Sequence, residues 1–170
     1  MWHRARKLIQ WGNLTETRAE EVTSQEAQLS LHRIMGRALA IRLVDAGSCN
    51  ACELEIQALN NPYYNLEGMG IRWVASPRHA DLLMVTGPIS RAMMTALRRT
   101  YEAMPEPRLV LAVGQCTRNG GVFGSNYACQ GGIWDILPVD AYVEGCPPTP
   151  HVLLQAILGL VGRRLVDVPH

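Results

Sequence analysis

The residues with the most chemistry in this chain are its cysteines. Cys49 and Cys52 form a Cys-x-x-Cys inside Asp45-Ala46-Gly47-Ser48-Cys49-Asn50-Ala51-Cys52-Glu53-Leu54-Glu55-Ile56. Two thiols at that spacing reach one metal centre or each other. Alone, the pair is compatible with zinc, iron–sulfur, a redox disulfide or no function. Cys116 stands in Gly114-Gln115-Cys116-Thr117-Arg118-Asn119-Gly120-Gly121, and Cys146 in Glu144-Gly145-Cys146-Pro147-Pro148-Thr149-Pro150. What the four thiols do depends on whether the chain brings them to one place.

The elements that must position them are legible as a strand–helix alternation. Apolar runs at Ala38–Val44, Ile71–Ala75, Leu82–Thr86, Leu109–Val113 and Ala141–Val143 read as five strands, several closed by glycine. Glu53–Leu59 reads as a helix stopped by Asn60-Asn61-Pro62. Met93, Leu97, Tyr101 and Met104 share one helical face, and Thr149-Pro150 opens a last helix with an N-cap and a first-turn proline. Near-continuous apolar strands alternating with helices imply a mostly parallel sheet covered on both faces. We therefore expect a three-layer α/β domain, flavodoxin-like in size. A Rossmann form is disfavoured, because no Gly-x-Gly-x-x-Gly follows the first strand.

In a parallel sheet all strand C-termini share one edge. Cys49 with Cys52, Cys116 and Cys146 follow the first, fourth and fifth strands, so three loops are expected to deliver four thiols to that edge. Structural zinc usually takes its cysteines in two close pairs. One close pair with two distant singles, in Gly-rich loops with backbone N–H groups to offer to sulfides, favours iron–sulfur over zinc.

Composition sets the remaining bounds. A chain of 170 residues suffices for one domain with a sizeable core, and 48% apolar residues fit a globular protein. A net charge of +1 shows no nucleic-acid footprint. Five cysteines, no apolar leader and no run near the roughly 18–20 apolar residues of a membrane span lead us to expect the reducing cytosolic compartment. Residues 1–37 differ from the rest. Trp2, Leu8, Ile9 and Trp11 lie among basic residues, and Glu16, Glu20, Glu21 and Glu26 follow. We expect an N-terminal arm, docking on a partner or a membrane surface or forming a loosely ordered terminus, ahead of one domain over 38–170.

The stretches Gly47–Ile56, Ser76–Asp81, Thr86-Gly87-Pro88, Asn119–Phe123, Leu137–Asp140 and Gly145–Pro150 together resemble one family. It is the small electron-transfer subunit shared by respiratory complex I (the NADH–quinone oxidoreductase B, or 20 kDa, subunit) and the membrane-bound nickel–iron hydrogenases, including formate hydrogenlyase. The resemblance implies a flavodoxin-like fold and one 4Fe–4S cluster bound by Cys49, Cys52, Cys116 and Cys146. It also implies a large catalytic subunit (nickel–iron hydrogenase or complex I 49 kDa-like), a ferredoxin-like iron–sulfur subunit and membrane-arm subunits as partners, with the protein peripheral on the cytoplasmic face of the cell membrane. Complex I subunits have adjacent cysteines at the first motif. The Cys-x-x-Cys here is that of the hydrogenase branch.

Further residues are candidates for smaller roles. Glu55, one turn beyond Cys52, is a candidate proton relay or a first-turn helix carboxylate. Arg78 and His79, expected at the cluster edge after the second strand, would tune the cluster; otherwise Arg78 pairs with Asp81 and His79 is a loop residue. Loops at Gly47, Gly114 and Gly145 would supply N–H donors. Cys129, expected away from a strand end, reads as a free, partly buried thiol.

Overall fold

The computed structural model describes residues 36–164. The expected arm therefore falls almost wholly outside the described residues, Trp2, Leu8, Ile9 and Trp11 included. Seven strands are described: β1 (Leu39–Asp45), β2 (Ile71–Trp73), β3 (Leu82–Thr86), β4 (Ile89–Ser90), β5 (Leu109–Val113), β6 (Cys129–Gly131) and β7 (Ala141–Val143). Among the described residues the α-helices are α1 (Ala51–Ala58), α2 (Arg91–Glu102), α3 (Gln115–Asn119) and α4 (Pro150–Arg164). None is long and apolar enough to cross a membrane.

β2, β1, β3, β5 and β7 form one sheet in that order, and every neighbouring pair is parallel. Counting only these five strands along the chain, the order is 2-1-3-4-5, the flavodoxin-like one, whose reversal point lies between the first and third strands. β3 and β5 are buried at every residue, which is why both appear as unbroken apolar runs. Their side chains alternate between two cores. Leu82 and Met84 join Ile56, Leu153 and Ile157 under α1 and α4. Leu83 and Val85 join Leu97 and Ile133 under α2. Fully burying such a side chain contributes roughly 1.5–3 kcal/mol, so the two layers hold the sheet edge-on and fix where its loops emerge.

β2 stops at Trp73, opposite Ile41, two residues short of expectation and only partway along β1. β4 and β6 form a separate antiparallel ribbon. Cys129, expected away from a strand end, instead opens β6, and it is a free, half-buried thiol there. α2 starts as its sequence dictates: the Ser90 side chain accepts a hydrogen bond from Met93 N (3.3 Å) and caps the first turn.

Candidate metal centre

The loop after β1 is shaped by Asp45. Its Oδ1 accepts from Gly47 N (2.8 Å) and Ser48 N (2.7 Å), and Ser48 Oγ accepts from Asn50 N (3.0 Å). Asn50 is left-handed, with φ of 70°, and immediately precedes α1. Cys49 is exposed on this loop, while Cys52, in the first turn of α1, is buried. Ser48 also packs on the loop after β3: a Cβ on Gly87 would meet Ser48 N at 2.5 Å.

The loops after β5 and β7 meet the same point. Gly114 N donates to Val143 O (2.8 Å) and Gln115 N to Gly145 O (2.9 Å). Gly114 has φ of +84°, and a Cβ there would stand 2.8 Å from Cys52 Sγ and 3.5 Å from Gly145 O. One glycine thus touches both other thiol-bearing loops. Cys116, half-buried in α3, has its sulfur against Gly121, where a Cβ would come within 2.6 Å. Cys146 is exposed.

The thiols are within electrostatic reach of one another. Burial pushes the Cys52 thiol up to about 12, and Glu53, Cys116, Cys49 and Cys146 add to it in that order. Burial raises the Cys116 thiol too, followed by Cys146 and Cys49. Among the described residues no three His, Cys, Asp or Glu side chains are set to grip a single ion. Four thiols brought by three loops within reach of one another suit a polynuclear group, whose ligands bind different metal atoms. The donor chemistry fits an iron–sulfur cluster, and Gly114 and Gly121 leave the sulfurs room that any side chain would fill.

Other expectations need correction. Of the three glycine loops expected to supply N–H donors, the N–H groups of Gly47 and Gly114 themselves are engaged by Asp45 and Val143, so any donors there come from other residues of those loops. Arg78 and His79 are exposed in the turn that returns the chain to Asp81, whose N donates to Ala40 O at the start of β1. Because β2 ends early, that turn runs to the opposite end of the sheet, and neither residue is among the charges acting on Cys52 or Cys116. Asp81 takes Arg37 and not Arg78: both Arg37 Nη atoms donate to it. Glu55 is half-buried and is not among those charges either.

The residue that does act there is Glu53, which sequence reasoning passed over. It is 6% exposed, whereas Leu54 is 57% exposed. In Cys52-Glu53-Leu54-Glu55-Ile56, aligning the helix on Cys52 and Ile56 turns Glu53 inward. The pattern was available, but apolarity alone would have turned Leu54 in. Beside α1, a mostly apolar cavity of about 320 Å³ is lined by Ile41, Arg42, Leu43, Ile56, Trp73 and Val74 among others.

Residues 49–160 match the family described as NADH ubiquinone oxidoreductase, 20 Kd subunit. The chain is 41% identical over 149 residues to formate hydrogenlyase subunit 7 of Escherichia coli (strain K12), covering 86% of this chain and 58% of that protein. It is 44% identical over 125 residues to the B subunit of NADH-quinone oxidoreductase from Desulfovibrio desulfuricans, covering 74% of this chain and 67% of that one. A chain of the membrane-bound sulfane sulfur reductase, an archaeal respiratory membrane complex, superposes with a TM-score of 0.66 at 32% identity, over 81% of this chain and 75% of that one. These relatives are subunits of oxidoreductases or of a respiratory membrane complex.

Proposed function

The chain belongs to the NADH ubiquinone oxidoreductase 20 Kd subunit family, and from that premise we propose that it is an electron-transfer subunit of a membrane-bound nickel–iron hydrogenase complex, not catalytic by itself. Cys49, Cys52, Cys116 and Cys146 hold one 4Fe–4S cluster. When bound, the cluster supplies a one-electron carrier beside the active site of a large catalytic subunit. Cys52 ties it to the core, and the exposed Cys49 and Cys146 turn it toward the partner. A ferredoxin-like iron–sulfur subunit and membrane-arm subunits complete the assembly, on the cytoplasmic face of the membrane. Residues 1–37 dock on that assembly or on the membrane surface, and 38–170 carry the electron.

The observation that carries this reading is Gly114, which sits against both Cys52 and the Cys146 loop and so joins three distant segments at one rim. The hydrogenase branch rests on the Cys49–Cys52 spacing, since identities of 41% and 44% to the two kinds of relative do not separate them. A second reading, a complex I-type subunit handing electrons to quinone, draws on the apolar cavity beside α1, which is at the lower end of the size of small-molecule sites.

Anaerobic purification tests the proposal. The expected protein is brown, with about four iron and four sulfide per chain. Cys146→Ser loses the cluster and Cys129→Ser keeps it. A colourless protein with one zinc would make it a non-redox scaffold instead. Nickel in the co-purified large subunit supports the hydrogenase branch; quinone reduction without nickel supports the other.

A further inference from the structure

The two faces of the sheet are covered differently. α1 and α4 pack on one face through Ile56, Leu153 and Ile157. On the other, α2 packs through Leu97 with Leu83, Val85 and Val110 of β3 and β5. The β1–β2 and β2–β3 links run in opposite directions along the sheet. Right-handed crossovers in opposite directions use opposite faces, so the β2–β3 link crosses β1 on the α2 side. Val74 and Ala80, at the two ends of that link, do pack in the α2-side core. The link carries no α-helix, only the short turn Pro77–His79.

Three arginines gather at this corner. Ile41 and Leu43 of β1 and Ile71 and Trp73 of β2 face the α1 side, so Arg42 and Arg72 between them face the other. Arg78 rides on the turn that crosses there. Arg72 and Arg78 are exposed, and Arg42 is half-buried. Nε is the only Arg42 nitrogen buried without a partner, so its outer N–H groups meet solvent. No described carboxylate pairs with any of the three, and Asp81 is taken by both Arg37 Nη atoms. Unanswered guanidinium groups set this close repel one another and attract an anion.

The anion is within the chain's own reach. Residues 16–26 carry Glu16, Glu20, Glu21 and Glu26 against the single Arg18. They join the described chain at Gly36, beside Arg37 and just ahead of β1. The ten residues from Glu26 to Gly36 span roughly 15 Å if helical and 33 Å if extended. Arg72 lies opposite Ala40 and Arg42 two residues further on, within about 10 Å of the start of β1. We propose that residues 16–26 dock on this basic corner, a clasp that ties the arm to the sheet and leaves residues 1–11 to meet the assembly or the membrane. Each charge pair is exposed, weak and screened by salt, and the tether supplies the local concentration that makes them sufficient together. The clasp does not depend on what the thiols hold.

Amide hydrogen exchange of the full chain, read by mass spectrometry at low salt, tests the clasp. Residues 16–26 are expected to be protected in wild type and to lose that protection in high salt. In Arg72→Glu/Arg78→Glu they should exchange at least about fivefold faster, while β1 and β3 keep their protection. Glu20→Arg/Glu21→Arg should do the same, and combining the two pairs should restore slow exchange. The second pair alters the arm alone, so it keeps the test open if the sheet variant fails to fold. An unprotected run in wild type overturns the proposal. So does protection that ignores the charge of the sheet, which would pair the acids with the basic residues of 1–11. Protection that arises only with the catalytic subunit or with anionic lipid vesicles present would give the corner to a partner, and overturns it too.

Discussion

Asp81 and Glu53 are both buried carboxylates, 5% and 6% exposed, at opposite ends of one sheet. Asp81 accepts from Ala40 N (3.0 Å) and from both Arg37 Nη atoms. It stitches the starts of β1 and β3 together. Glu53 accepts nothing, and the sulfurs around it repel one another once ionised. The same chain thus closes one end of the sheet with internal bonds and leaves the other chemically incomplete. Stability resides at the first end, and the means of binding something else at the second.

The sharpest way to separate the two ends is pH. The folded, metal-free chain holds the Cys52 proton up to about 12, while the ordinary thiol value is 9.0. Between those values the folded chain binds more protons than the unfolded one, so its stability falls as pH rises. The limit is about 1.4 kcal/mol per unit, or roughly 4 kcal/mol over the window. Urea titrations from pH 8 to 11.5 should show the decline, and Cys52→Ser should flatten it. A metal-loaded chain, whose thiols are already deprotonated, should show little of it. Next in size is Asp81→Ala, at about 3 kcal/mol, because it orphans the buried Ala40 N–H and breaks a partly buried ion pair. Chemical denaturation of the metal-free chain measures it, and iron loading of the surviving folded protein should be normal. A variant that folded well but failed to load would show that the two ends are not separable.

The same division decides what was legible in the amino acids. Leu82–Thr86, Leu109–Val113 and Ala141–Val143 emerge as strands with the expected bounds, because strands covered on both faces must be apolar throughout. Three thiol-bearing loops on one edge follow from parallel pairing alone. β4 and β6 were not legible: two- and three-residue strands show no periodicity, and Ser90 pairs with Cys129 across a long separation. Arg78 and His79 lie elsewhere because a strand's length, not its existence, decides where the following loop lies, and β2 ends at Trp73, partway along β1. Glu53 is illegible in the amino acids because a helix pattern read by apolarity turns Leu54 inward instead. A charge facing inward contradicts local pattern, and such contradictions gather at functional sites.

Gly114→Ala probes the incomplete end by geometry. Its φ of 84° with ψ of 156° is a conformation almost confined to glycine, so a side chain there already costs about 1–3 kcal/mol. In the metal-free chain the Cys52 sulfur is held by no metal bond and a change of its χ1 can relieve the contact, so denaturation should register a loss close to that backbone cost. Once the sulfur is anchored, a methyl group 2.8 Å away has no room. Iron content should therefore drop far more than stability does. Equal losses in both would mean that Gly114 serves the fold rather than the sulfurs.

The smallest expected effect is Arg37→Ala. The Arg37 side chain is 57% exposed although Asp81 is buried, so water screens the pair and supports Asp81 once the guanidinium is gone. Such pairs contribute about 0.5 kcal/mol, and added salt should erase the difference from wild type. The contrast with Asp81→Ala tells which contact closes that end of the sheet. If the arginine matters little, the Ala40 N–H is sufficient to hold the carboxylate, and a main-chain donor is what Glu53 lacks. If Arg37→Ala instead costs as much as Asp81→Ala and resists salt, then a buried carboxylate in this fold needs a cation even when the backbone serves it. Glu53, which has neither among the described residues, would then be the less stable of the two carboxylates in its ionised form.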